Sequence, residues 1–123
     1  MKVKMLVLFI AILFIISLSA CNNKKKYDPQ IDQVIKLENE YLHNEMKIKN
    51  TEIIKRSNIV IAVYKNGNYI NLIYDLNKSN QIDCFYKKTK ASNYIRYLNT
   101  DKEIEKAEKD LKEADYIENT GRK

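Results

Sequence analysis

Between Ile59 and Leu76, two runs rich in β-branched and aromatic residues flank the dipeptide Asn66-Gly67, and that dipeptide leaves the backbone little choice. A tight hairpin turn needs positive φ at both central positions, which asparagine tolerates and glycine adopts without steric cost. With Asn66 and Gly67 in the turn, Lys65 pairs with Asn68 and the rest of the register follows. Val63, Ile61 and Ile59 then fall opposite Ile70, Leu72 and Tyr74, while Tyr64, Ala62 and Val60 meet Tyr69, Asn71 and Ile73. One face is wholly apolar and the other mixed, the pattern of an antiparallel sheet covered on one side.

The covering layer lies upstream. Asp28-Pro29 opens a helix, with Asp suited to the N-cap and Pro to the first helical position. Ile31, Val34, Ile35, Tyr41, Leu42 and Met46 recur close to helical spacing and lay down one apolar stripe. The segment runs on towards Arg56, but Ile48, Ile53 and Ile54 drift off the stripe, so a bend or an end is expected near Asn50-Thr51. Downstream, Lys78-Ser79-Asn80-Gln81 reads as a turn and Ile82 to Lys88 as a third strand. After the polar Lys90 to Asn93, Tyr94 to Leu98 reads as a fourth. The expected fold class is α+β, one N-terminal helix packed on a four-stranded antiparallel sheet, followed by a short charged C-terminal segment.

That segment, from Asp101 to Glu118, carries eight acidic residues against four lysines, a local balance of −4. Thr100 and Glu103 have the spacing of a capping box, but Lys106 to Glu113 offers only Ala107 and Leu111 for burial. It reads as a solvated helix or frayed end, with a partner-contacting segment as the functional alternative.

The first twenty residues read as an address. Lys2 and Lys4 precede an uninterrupted apolar run from Met5 to Ile16, the charged and apolar regions of a secretory signal. The run is shorter than the about 20 apolar residues of a membrane-crossing helix. It leads into Leu18-Ser19-Ala20-Cys21, an aliphatic residue, two small ones and a cysteine, which fits the lipobox of bacterial lipoproteins. In that reading Leu18, Ser19 and Ala20 are recognised by the signal peptidase and residues 1–20 are removed. Cys21 accepts a diacylglyceryl group on its sulfur and tethers the protein to the outer face of the cytoplasmic membrane. Two acyl chains anchor stably where one does not, and Lys24, Lys25 and Lys26 each add about 1 kcal/mol near an anionic leaflet. Val3 to Ser19 is expected to be a helix packed on nothing. Residues 21–27 form the lipidated cysteine and a polar tether, 28–118 the domain with its charged segment, and 119–123 a tail. Cleavage of a 123-residue precursor leaves 103 residues, enough for one compact domain.

Charge and cysteine usage exclude several function classes. The formal charge is +6, of which Lys2 and Lys4 carry two, leaving +4 on the mature chain. Its basic residues are interleaved with acidic ones and no nucleic-acid motif is present, so no nucleic-acid partner is expected. With Cys21 consumed by lipid, Cys84 has no disulfide partner and alternates with Ile82 and Tyr86 on one strand face, as a small core residue would. A reactive thiol would want a histidine nearby, and the chain has only His43, in the helical segment. No Ser-His-Asp order, His-x-x-x-His, paired cysteines or glycine-rich phosphate loop occurs in the mature chain. The expectation is therefore no enzyme, no cofactor and no metal site.

The mature start, Lys26-Tyr27-Asp28-Pro29-Gln30-Ile31-Asp32-Gln33-Val34-Ile35-Lys36-Leu37-Glu38, resembles the opening of small lipoproteins with a cystatin-like fold from Gram-positive cocci, a family of unknown function. Lys112-Glu113-Ala114-Asp115-Tyr116-Ile117-Glu118-Asn119 is similar to that family's charged ending, with Ala114 in place of its proline. The abundance of Lys, Asn and Ile agrees with the codon bias of a low-GC host. The resemblance implies a cystatin-like α+β domain, tethered at the membrane surface, that binds a protein partner without catalysis. Immunity against a secreted toxin is one role associated with lipoproteins of this broad type. The alternatives are a carrier holding a small ligand against Tyr64, Tyr69, Tyr86 and Tyr97, or a structural envelope lipoprotein. Protease inhibition is the remaining reading suggested by the fold name, but the chain lacks the Gln-x-Val-x-Gly wedge of inhibitory cystatins, and fold does not imply function.

Overall fold

A computed structural model of the chain describes residues 25–49 and 54–120. The expected leader helix Val3 to Ser19, the expected lipobox Leu18-Ser19-Ala20-Cys21, the first residues of the expected tether, the expected bend at Asn50-Thr51 and the last three residues of the expected tail lie outside the described residues. Among the described residues no helix is long and apolar enough to cross a membrane.

Helix α1 (Asp28–Asn44) packs on one face of an antiparallel sheet. The strands are β1 (Val60–Tyr64), β2 (Tyr69–Asn77), β3 (Asn80–Lys88), β4 (Tyr94–Leu98) and β5 (Tyr116–Glu118), in the order β4-β3-β2-β1-β5. The α+β class is as expected, but the sheet has five strands instead of four. The fifth lies in the charged segment, where three residues are too few to show an alternation. It is held by its flanks: Asp115 N–H donates to Val63 O at 2.7 Å. Asn119 Nδ2 donates to the carbonyls of Arg56 and Ile59 at 2.7 and 3.0 Å.

The β1–β2 register matches the expected one, from Val60 opposite Ile73 to Tyr64 opposite Tyr69. Asn66 and Gly67 take positive φ values of 57° and 91°, and Asn68 N–H donates to Lys65 O at 3.1 Å. Lys65 also has positive φ, 49°, which no local signal indicated. At the next turn only Lys78 and Ser79 lie outside strands, because Asn77 Oδ1 accepts the N–H groups of Ser79 and Asn80 and turns the chain sooner than expected.

The helix ends earlier than its pattern implied. After Asn44, Lys47 adopts φ 57°, Ile48 N–H donates to Leu42 O, and Met46 is 43% exposed, off the buried stripe. Asp28 is the first residue of α1 and makes no side-chain cap bond; its carboxylate lies 2.8 Å from Arg56 Nη2 instead. Tyr27, expected in the tether, is buried, and its carbonyl accepts from Ile31 N–H. The core joins Ile31, Val34 and Leu42 of the helix to Ile61, Val63, Ile70, Leu72, Tyr74, Cys84 and Tyr86 of the sheet. Each such fully buried aliphatic side chain contributes roughly 2 kcal/mol.

The segment after β4 keeps most of its charged residues exposed but is docked through two side chains. Helix α2 (Lys102–Lys106) buries Ile104, and Ala107 follows it into the interior. The expected capping box is absent: Asp101 occupies the N-cap position, and its carboxylate accepts Leu98 N–H at 2.7 Å. Glu103 instead pairs with Lys87 of β3 at 3.3 Å.

Candidate functional site

Glu38 sits midway along α1 on the face turned to the sheet, fully buried. Its carboxylate accepts hydrogen bonds from side chains of three strands: Tyr74 Oη at 2.5 Å, Tyr86 Oη at 2.8 Å, and Arg96 Nε and Nη2 at 2.6 and 3.1 Å. The Cys84 thiol adds a weaker contact at 3.4 Å. The Arg96 guanidinium lies 3.8 Å from the centroid of the Tyr41 ring, one turn along the same helix, where the ring face attracts the cation. Alternation explains the convergence. Tyr74, Cys84, Tyr86 and Arg96 all occupy strand positions that point at the helix, and their strands are neighbours in the sheet.

The electrostatics are those of a closed, neutralised pair. Burial by itself would raise the Glu38 carboxyl, but the Arg96 bonds, followed by those of Tyr74 and Tyr86, outweigh it and hold the group below its ordinary value. Burial, with the Glu38 charge and its hydrogen bonds added, pushes both phenols up. Burial and then the same charge push the Cys84 thiol up. A thiol so disposed is protonated and inert. The carboxylate accepts five contacts and has no oxygen left to take a proton from a substrate, so the cluster clamps the helix to the sheet. Cys84 lies in the core beside Glu38, as a small core residue, whereas His43 is exposed and its Nδ1–H, in the tautomer that bond requires, donates to Ile48 O at 3.0 Å. The structure does not assemble them into a reactive pair. Among the described residues no group of three or more His, Cys, Asp or Glu is placed to hold a metal.

The second face of the sheet is different in kind. Val60, Ala62, Tyr64, Ile73, Phe85 and Tyr97 point away from α1 on adjoining strands, and the Tyr64 and Phe85 ring centroids are 6.3 Å apart. Ile95 and Ile117, on the two edge strands, point the same way and are each 49% exposed. Asn71 crosses this face with its amide satisfied by Asp83 Oδ1 and Cys84 O at 2.7 and 2.8 Å. Of the four tyrosines expected to line one surface, Tyr64, Tyr69 and Tyr97 share it, whereas Tyr86 points to the opposite face and into the Glu38 cluster. A single tyrosine-lined cavity is therefore not formed.

A third feature is a groove of 640 Å³ along the outer flank of α1, lined by Ile35, Asn39, His43 and Ile54 among others. Asn39 in its wall exchanges two hydrogen bonds with the backbone of Ile54.

Glu38 and Arg96 went unmarked in the sequence although a signal was there. Glu38 occupies the stripe position between Val34 and Leu42, and Arg96 the inward strand position after Tyr94. One acid and one base, each alone on an apolar face, are complementary.

No protein-family profile matches the chain, and no solved structure matches it. Over 71 residues it is 35% identical to YddJ, an uncharacterized protein of Bacillus subtilis (strain 168), an alignment covering 58% of this chain and 52% of that protein. The chain thus spans about half the length of this curated relative.

Proposed function

We propose that the mature chain is an extracytoplasmic domain of cystatin-like architecture, anchored to the cell membrane through diacylglyceryl-Cys21, that binds a protein partner with its sheet and turns nothing over. The observation that carries this reading is the second sheet face, where half-buried Tyr64 and Tyr97 surround a covered centre of Ala62, Asn71 and Phe85 and are flanked at the two edges by exposed Ile95 and Ile117. Aromatic residues that combine large apolar area with few rotatable bonds are what protein interfaces use as anchors. The polar cluster at Glu38 supports the absence of turnover, since its donors and acceptors are spent on one another. Immunity against a secreted toxin is the form of this role that the family resemblance favours, and a lipid tether would hold such a protein at high effective concentration where the attack occurs.

The test has two arms in the producing cell. Cys21→Ala should abolish incorporation of labelled fatty acid and leave uncleaved precursor. A photo-crosslinking amino acid at Tyr97 should capture a discrete protein, whereas the same group at Lys36, on the far side of the molecule, should not. Fatty-acid labelling of the Cys21→Ala variant, or equal crosslinking from both sites, would remove the reading.

A further inference from the structure

Several segments distant in sequence meet at the end of the domain where α1 begins. Gly67, in the β1–β2 turn, lies against the Gln30 side chain, and its carbonyl accepts from Tyr94 Oη, at the start of β4, at 2.6 Å. Lys88 N–H, at the end of β3, donates to Asn68 O at 2.8 Å. The β3–β4 turn, residues 89–93, is closed by Thr89 N–H to Asn93 O at 2.7 Å and projects at this same end. Exposed Lys25, Lys26 and Lys90 and half-buried Lys88 belong to the two stretches of chain that reach this end, the start of α1 and the β3–β4 turn. The acidic groups nearby are matched: Asp110 by Lys65 at 3.2 Å and Asp28 by Arg56 at 2.8 Å. Asp115 accepts Asn66 N–H at 2.8 Å, and Glu113 lines a shallow pocket together with Lys109 and Lys112.

Covalent geometry says what this end meets if Cys21 carries the lipid. Three residues separate Cys21 from Lys25, and a fully extended chain covers at most about 3.6 Å per residue, so the first described residue lies within about 14 Å of the anchor. The opposite end is farther away. Helix α1 has 17 residues, about 25 Å at 1.5 Å per residue, and β2 runs beside it from Tyr69 at the near end to Asn77 at the far one.

We propose that this end of the domain rests on the anionic leaflet, with Lys25, Lys26, Lys88 and Lys90 against lipid phosphates. The sheet then stands away from the membrane and the β2–β3 turn points outward. The inference rests on lipidation of Cys21. It adds an orientation: the second sheet face, with its exposed edge residues Ile95 and Ile117, is presented sideways along the membrane, towards a partner lying in or on the same surface. Lysines with solvent access within a Debye length of about 8 Å feel the leaflet potential, and salt screens it.

The experiment uses the full chain, expressed with its leader, acylated and reconstituted in vesicles of phosphatidylglycerol and phosphatidylcholine. A fluorophore is attached at Ala91→Cys in the near turn or at Lys78→Cys in the far one, while buried Cys84 stays unlabelled. A headgroup quencher in the lipid should quench the label at 91 at least threefold more than the label at 78. That contrast should fall on raising salt, on omitting phosphatidylglycerol, and in the variant carrying Lys88→Glu and Lys90→Glu. Equal quenching at both sites in acylated protein would overturn the orientation alone. Absence of acyl groups on Cys21 would remove the short leash and overturn both the orientation and the anchoring it rests on.

Discussion

Glu38 and Arg96 are 58 residues apart in sequence, yet the guanidinium places two nitrogens on the two carboxylate oxygens, at 2.6 and 3.1 Å. The carboxylate is wholly buried, whereas the arginine side chain keeps 16% of its surface in contact with solvent. The pair is therefore a plug: its acid is inside the core and its base lies at the rim, roofed by Tyr41. A two-point bond of this kind fixes the position of α1 relative to β4 in a way that apolar contact alone does not.

Removing one partner should cost more than removing both. Glu38→Leu leaves Arg96 without its counter-charge and two buried phenols without an acceptor, and should destabilise the domain by about 3 kcal/mol, on the scale of broken buried pairs. The double variant Glu38→Leu with Arg96→Leu should recover part of that loss, because residues in direct contact couple non-additively. Urea denaturation of the wild type, Glu38→Leu, Arg96→Leu and the double variant decides this, and a double variant as unstable as the sum of the two singles would show the pair to be energetically independent.

The same carboxylate predicts an acid-sensitive component of stability. Its folded value is depressed below the ordinary 4.5, so the folded state binds this proton less readily than the unfolded chain does. The stabilisation is therefore fully present above 4.5 and is lost as pH falls through that value towards the lower folded one. Melting temperatures of the wild type and Glu38→Gln, measured from pH 7 down to pH 3, should differ most at neutral pH and converge in acid. A gap that stays constant across the range would mean that ionisation of Glu38 contributes nothing.

Gly67 is required by backbone geometry and not by space. Its φ is 91°, and a methyl group there would meet nothing nearer than 3.7 Å. Gly67→Val should destabilise by about 1–3 kcal/mol from backbone strain alone, whereas Asn66→Gly, at φ 57°, should be close to neutral. An unchanged melting temperature for Gly67→Val would contradict the turn.

The hairpin was legible in the sequence because its signals are local. Asn66-Gly67 fixes the turn, and alternation on both sides fixes the register, so every pair from Val60–Ile73 to Tyr64–Tyr69 could be written down beforehand. The strand Tyr94–Leu98 was legible for the same reason. What escaped depends on partners far away. Asp28 looked like a helix cap and became an ion-pair partner of Arg56, because the helix begins one residue earlier, with Tyr27 at the N-cap position. Glu38 looked like any charged helical residue; only Tyr74, Tyr86 and Arg96 make its burial favourable. Tyr116-Ile117-Glu118 is too short to carry a period, and its strand state is imposed by the exposed edge of β1.

That imposed strand changes how the acidic segment can be tested. Glu118 is held by Arg56 through Nε at 3.0 Å and Nη2 at 2.7 Å, and Tyr116 Oη donates to the same carboxylate at 3.1 Å. Arg56 in turn reaches Asp28 at the start of α1, so the last strand joins the beginning of the domain to its end. Deleting residues from Tyr116 onward would uncover the β1 edge, orphan the carbonyls of Arg56 and Ile59 that Asn119 satisfies, and leave Arg56 with fewer partners. Such a truncation should lower stability by several kcal/mol, in the range of lost buried hydrogen bonds and ion pairs, and any loss of binding would follow from unfolding. Charge can be separated from structure by neutralising Glu105, Glu108 and Glu113, which are exposed. Replacing these three with Gln should leave the melting temperature within about 1 kcal/mol equivalent of wild type, as expected for exposed sites. Crosslinking from Tyr97 in the neutralised protein then reads the contribution of the acidic charge to partner capture, and it should fall and lose its salt dependence. Capture at wild-type level with unaltered response to salt would assign the segment a structural role only.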